Sequence, residues 1–133
     1  MTPEMNGSGH DGLILFAHGA RDPLWARPFE AVAERVRAAR PGLPVRLAFL
    51  EFMAPTLPEA GAALAQGGCR HVAVRPLFLG AGGHVRRDLP LLLETMRTAH
   101  PGTRFELQDV VGEADSVIDA MAAVAAASLE DRR

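Results

Sequence analysis

Two segments of this 133-residue chain carry the side chains best suited to chemistry: Ala17-His18-Gly19-Ala20-Arg21-Asp22-Pro23 and Leu79-Gly80-Ala81-Gly82-Gly83-His84-Val85-Arg86-Arg87. Each follows an apolar run and holds one histidine, with arginine close behind it. A neutral imidazole ligates first-row divalent metals and accepts a proton near neutral pH. Two such rings fall short of a closed structural zinc set, which suits a metal that has to leave again. Glu51 ends another apolar run, where a carboxylate is either solvated or part of the site, and both readings stay open. Gly80, Gly82 and Gly83 either give a tight turn or let backbone N–H groups approach a flat or anionic ligand. Their spacing is neither G-x-G-x-x-G nor a Walker loop, so a nucleotide site is not indicated.

The other chemistry-bearing residues read as structural. His10 lies in a nonperiodic N-terminal stretch, His71 precedes a strand, and His100 sits at a helix end, where the dipole favours a cation. Cys69 reads as a structural thiol. Trp25 and Phe29 read as core, with Trp25 close enough to rim a pocket. His18-Gly19 followed by Arg21 also has the look of a histidine phosphatase, but that family has arginine directly before the histidine, where this chain has Ala17.

The elements that must position these segments alternate. Leu13 to Ala17 reads as a strand, followed by a helical stripe through Phe29, Val32, Ala33 and Val36 that stops at Pro41-Gly42. Val45 to Leu50 is the second strand. Thr56 and Glu59 have the spacing of a capping box, opening a helix with Leu57, Ala60 and Leu64 inward. Val72 to Val74, extended toward Leu79, is the third strand. Asp88 with Pro90 starts a helix through Leu89, Leu92, Leu93 and Met96, and Arg104 to Val111 is the fourth strand. Asp115 or Ser116 caps a last helix with Val117, Ile118, Met121, Val124 and Ala125 inward.

This pattern predicts an α/β fold: a single doubly wound domain with a four-stranded parallel sheet in the order 2-1-3-4 and helices on both faces. The chain reverses direction between strands 1 and 3, and ligands lie outside the carboxyl ends of the strands at such a reversal. Both histidine segments emerge there. Residues 1–11 read as a flexible N-terminal tail, 12–130 as the domain and 131–133 as a charged end.

Composition narrows the partners. With 48% apolar and 23% charged residues, wholesale disorder is excluded. A net charge of −2 supplies no field for a polyanion, so nucleic acid is not expected. All 14 basic residues are arginine, which removes lysine Schiff-base chemistry and leaves guanidinium groups able to grip carboxylates bidentately. No apolar run approaches the roughly 20 residues of a membrane span, no targeting segment is visible, and no membrane partner is expected. The single Cys69 permits no internal disulfide and fits a reducing cytoplasm.

At the same residues the chain resembles the small sirohydrochlorin chelatases of the CbiX type, class II chelatases of tetrapyrrole synthesis. The resemblance rests on His18-Gly19-Ala20-Arg21, on Phe49-Leu50-Glu51 with Pro55, and on Pro76-Leu77-Phe78-Leu79 through Gly82-Gly83-His84 to Asp88-Leu89-Pro90. It runs from Leu13 to about Ala125.

The resemblance implies an enzyme that inserts a divalent metal, cobalt foremost with nickel and iron as alternatives, into a sirohydrochlorin-like tetrapyrrole. The metal is substrate, and no permanently bound cofactor is expected. His18 and His84 would hold it, with His18 also accepting a pyrrole proton. Leu79, Gly80, Ala81, Gly82 and Gly83 would lie against the macrocycle, with Glu51, Arg21 and Arg86, and also Arg87, as further contacts to substrate. Larger members carry two such halves, so the resemblance implies a homodimer for this one-half chain, for which the Leu77 to Leu79 segment with part of the following helix offers an apolar patch. Ala20, where serine is common, and Ala54, where some members have an acid, depart from the family pattern. A metal or tetrapyrrole carrier on the same fold is the alternative.

Overall fold

The computed structural model describes residues 9–80 and 82–129, with the backbone alone at His84. Ala81 and the termini therefore lie outside the described residues. The strands are β1 (Gly12–Ala17), β2 (Val45–Phe49), β3 (His71–Pro76) and β4 (Arg104–Leu107), and the helices α1 (Arg27–Ala39), α2 (Leu57–Gln66), α3 (Gly83–Ala99) and α4 (Asp115–Ala127). Short 3-10 turns occupy Pro23–Ala26 and Val111–Glu113. The sheet is parallel in the order β2-β1-β3-β4, as the alternation predicts.

Strand periodicity divides the core. Ile14 and Phe16 point to the face covered by α2 and α3, where they pack with Leu57, Leu64, Leu93, Met96 and Phe105. Leu15 points to the opposite face and packs with Ala33 and Val36 of α1. Trp25 and Phe29 stack at 4.6 Å against the same side, so the core reading of both holds. The capping box is present: Thr56 Oγ1 accepts from the Glu59 N–H, and the Glu59 carboxylate accepts from the Thr56 N–H.

Two expectations about helices need correction. α3 begins at Gly83, ahead of Asp88, so Gly83, His84 and Arg86 belong to its first turns and Pro90 lies inside the helix. Proline is tolerated at a helix start, which makes it read as a boundary, yet here flanking residues continue the helix on both sides of the missing N–H. The second correction is α4, in which no residue is buried and Val124 is 73% exposed. Its apolar stripe finds no matching surface among the described residues. On the α1 face, β3 and β4 present Arg75, Arg104 and Glu106, which share the pleat of Leu13 and Leu15 by register.

The amino end of the sheet is closed by residues just before β1. Both Asp11 carboxylate oxygens accept from the Arg70 N–H, one of them also from the His71 N–H, and the Asp11 carbonyl accepts from the Cys69 thiol. His10, read from sequence as part of a loose tail, stacks on His71 with ring centroids 4.0 Å apart. Its Nε2 lies 2.8 Å from Glu106 Oε1. Hydrogen bonds from His10 and then His71 hold the Glu106 carboxyl below its ordinary range.

Candidate functional site

β1 and β3 are neighbours whose chains turn to opposite sides, so their carboxyl ends frame the predicted crevice. His18 is the first residue beyond β1 and is exposed. Its ring meets Phe78 edge-on at 4.7 Å, and Phe78 in turn packs on Phe16 at 5.7 Å. The imidazole thus stands on an apolar footing on the α2–α3 side of the sheet, with no side-chain hydrogen bond to its ring among the described residues. Sharing Phe16 with this footing is a mainly apolar depression of about 390 Å³, lined also by Leu50, Val85, Leu89, Leu91 and Leu92, with Asp88 and Thr95.

The loop after β2 is locked to the loop after β1. The Leu50 N–H donates to the Ala17 carbonyl at 2.9 Å, and the Glu51 N–H to the His18 carbonyl at 3.0 Å. Gly19 sits at φ +92, and a Cβ there would fall on the Glu51 carbonyl oxygen. Glu51 therefore fixes the His18 backbone through its own backbone, while its side chain is exposed. Arg21 is exposed too, with its guanidinium carbon 4.5 Å from the centre of the Phe52 ring, a cation–π contact that aims it over the same edge.

On the β3 side, Phe78 is buried and Leu79 is 68% exposed. The Phe78 carbonyl accepts from the Gly112 N–H at 2.9 Å, and a Cβ at Gly112 would run into the Leu79 backbone. Gly80, Gly82 and Gly83 are exposed, and Gly82 caps α3 with its carbonyl accepting from the Arg86 N–H. Ala81 and the His84 side chain lie outside the described residues, so the backbone alone puts His84 in the first turn of α3 at this edge. Arg86 lines a different cavity, of about 290 Å³, between α3 and the end of β4, with Gln108, Asp109 and Glu113.

Sequence reasoning missed Phe78 and Phe52 as supports for His18 and Arg21. Phe78 was legible as part of an apolar run, but an apolar residue in a run carries no sign of which ring it meets. Phe52 adopts φ 68, a left-handed conformation that a phenylalanine in the sequence does not advertise.

Comparison with known proteins agrees with this fold. The chain is 34% identical over 83 residues to a protein of Methanococcus maripaludis named sirohydrochlorin cobaltochelatase, an alignment covering 62% of this chain and 58% of the relative. The match thus spans less than two thirds of that relative's length. Among solved structures, a CbiX protein from Marinobacter aquaeolei VT8 superposes with a TM-score of 0.80 at 30% identity, covering 90% of this chain and 97% of that one. The chelatase SirB from Bacillus subtilis subspecies spizizenii, determined in complex with cobalt, has the same fold at a TM-score of 0.76 and 23% identity, with 87% of this chain covering 50% of SirB. The CbiX family model matches residues 12–128, from the first strand to the end of the last helix, and the chain belongs to that family.

Proposed function

We propose that this protein inserts a divalent metal, cobalt foremost, into sirohydrochlorin. The observation that carries the reading is an exposed imidazole, His18, seated on Phe78 at the switch point between β1 and β3, with a mainly apolar depression sharing its Phe16 footing and able to receive one face of a macrocycle. The names of the cobaltochelatase relative and of the SirB complex support the metal and the substrate.

Insertion exchanges two ring N–H protons for one M²⁺, so the reaction needs a metal ligand that sheds its hold and a base at the ring face. His18 and His84 hold the metal as neutral imidazoles. His18 releases the metal as the first metal–pyrrole nitrogen bond forms, the freed ring lone pair accepts the first pyrrole proton, and the second proton leaves to solvent. Arg21 pairs with a peripheral carboxylate of the macrocycle, and Leu79, Gly80, Ala81, Gly82 and Gly83, none of which has a polar side chain, are the contacts to its face. Glu51 and Arg86 are further contacts to substrate in this reading.

A second copy of this chain completes the site. Ile118, Met121 and Val124 of α4 are exposed, an apolar stripe of a kind that self-complementary pairs bury. The Leu77 to Leu79 segment with part of α3 is a second apolar surface, on which Leu79 and Leu91 are exposed. SirB, of which this fold covers half, supports the pairing. A reducing cytoplasm suits the free Cys69.

The test is anaerobic incubation with Co²⁺ and sirohydrochlorin, followed by visible absorption. Turnover of many equivalents per chain, lost in His18→Ala, is expected. Binding of both ligands in stoichiometric amount without spectral conversion would overturn the enzyme reading in favour of a carrier.

A further inference from the structure

At the other end of the sheet, His10, His71 and Glu106 bring three ligand atoms within 4.8 Å of one another. The cluster lies along β3 from the His18 crevice, and the seven residues that separate its level from His18 along β1 correspond to about 23 Å. Nothing in the insertion chemistry uses it.

The hydrogen-bond pattern of His71 points to a cation. Its Nδ1 lies 3.2 Å from the Gly9 carbonyl oxygen and its Nε2 lies 2.9 Å from Glu106 Oε1, both acceptors, so a neutral ring with a single N–H donates to only one of them. Arg104 Nη2, a donor, lies 3.4 Å from the same Nε2. Something positive between Nε2 and Oε1 resolves the conflict: a second ring proton or a metal ion. A ring that donates its far N–H to a backbone carbonyl while aiming Nε2 at a carboxylate is the arrangement that metal-ligating histidines adopt. His10 Nε2 converges on the same oxygen at 2.8 Å. Metal–ligand bonds of about 2.0–2.2 Å would require the three atoms to part by a few tenths of an ångström. Two of the three can do so, because the His10 and Glu106 side chains are 33% and 52% exposed, whereas that of His71 is 11%. Arg104 is exposed and can swing from Nε2 into solvent. Asp11, the other nearby acid, is already engaged by backbone N–H groups.

We propose that His10, His71 and Glu106 form a second divalent-metal site, selective for late first-row ions by its two imidazoles and one carboxylate, with its remaining coordination positions open to water. Its occupancy ties the segment before β1 to β3 and β4.

The test uses the full chain carrying His18→Ala and His84→Ala, so that the insertion site is disabled, and Co²⁺ alone as probe. Equilibrium dialysis should find one Co²⁺ per chain, with the visible absorption of a nitrogen-ligated ion. Adding Glu106→Gln or His10→Ala should weaken that binding about tenfold or more. In the otherwise unchanged chain, Co²⁺ should raise the melting temperature through this site, and Glu106→Gln should remove that part of the rise. Glu106→Gln should leave insertion at saturating metal unaltered, which separates this site from the proposed activity. Absence of Co²⁺ binding in the double variant, or binding indifferent to both Glu106→Gln and His10→Ala, would overturn the proposal and leave the cluster as a hydrogen-bonded clasp.

Discussion

Gly19 and Glu51 meet backbone to backbone at the edge of the candidate site: a Cβ on residue 19 would fall on the Glu51 carbonyl oxygen, and φ there is +92. This contact, with the neighbouring hydrogen bond from the Glu51 N–H to the His18 carbonyl, sets the direction in which His18 leaves β1. Gly19→Ala should therefore cost about 1–3 kcal/mol from the backbone conformation alone, with the clash adding to it. A urea midpoint lowered at unchanged slope, together with slower metal insertion, is the expected result. An alanine variant as stable and active as the parent would mean that the two loops are not coupled.

His18→Ala should slow insertion by about 100-fold or more, since a ligand and the proton acceptor are removed together. The melting temperature should hardly move, because His18 is exposed and Phe78 keeps its packing on Phe16. His84→Ala should instead raise the metal concentration needed for half-maximal rate. Equal effects of the two substitutions on rate at saturating metal would contradict the separate roles.

α4 gives a prediction about assembly. Met121→Glu or Ile118→Glu places a charge in the exposed apolar stripe, so sedimentation should shift from dimer to monomer while far-ultraviolet circular dichroism is preserved. If the unsubstituted chain sediments as a monomer at micromolar concentration and still turns over, the shared-site arrangement fails.

Cys69 should be a slow thiol. Burial, and secondarily the negative charge of Asp11, push its pKa up, so less thiolate is present at any given pH than in the unfolded chain. Alkylation by iodoacetamide at neutral pH should lag well behind that of the denatured protein and accelerate as pH rises. The stability effect has the matching sign. Because the unfolded thiol ionises first, stability is unaffected below the ordinary thiol range and falls as pH climbs above it. A native alkylation rate equal to the denatured one would show that Cys69 is accessible.

Strand order and the His18 position were legible because apolar runs, helical stripes and Gly-Pro stops repeat with little ambiguity, and parallel connection rules leave few topologies. The capping box at Thr56 and Glu59 was legible for the same local reason. Pro90 was misread because a proline marks helix starts far more often than interiors. The α4 stripe was recognised, but amphipathic spacing says that a face will be covered without saying by which chain. His10 carried no local signal at all: its partner Glu106 is 96 residues away, and only the assembled sheet brings them together. The pairing of His18 with Phe78 and of Arg21 with Phe52 likewise depends on loop paths that no periodicity encodes.

The position of Pro90 inside α3 has a mechanical outcome. The ring nitrogen has no hydrogen to give, so the Arg86 carbonyl lacks its usual helical donor, and the ladder of bonds is interrupted between the turns that hold Gly83 to Arg86 and those that hold Leu93 and Met96 in the core. The carboxyl-edge end of this helix, with the His84 backbone on it, is therefore held in place by the packing of Val85 and Leu89 on the core rather than by an unbroken hydrogen-bond ladder. The far end has a polar anchor as well, the Arg97 guanidinium donating to the Phe105 carbonyl at 2.6 Å.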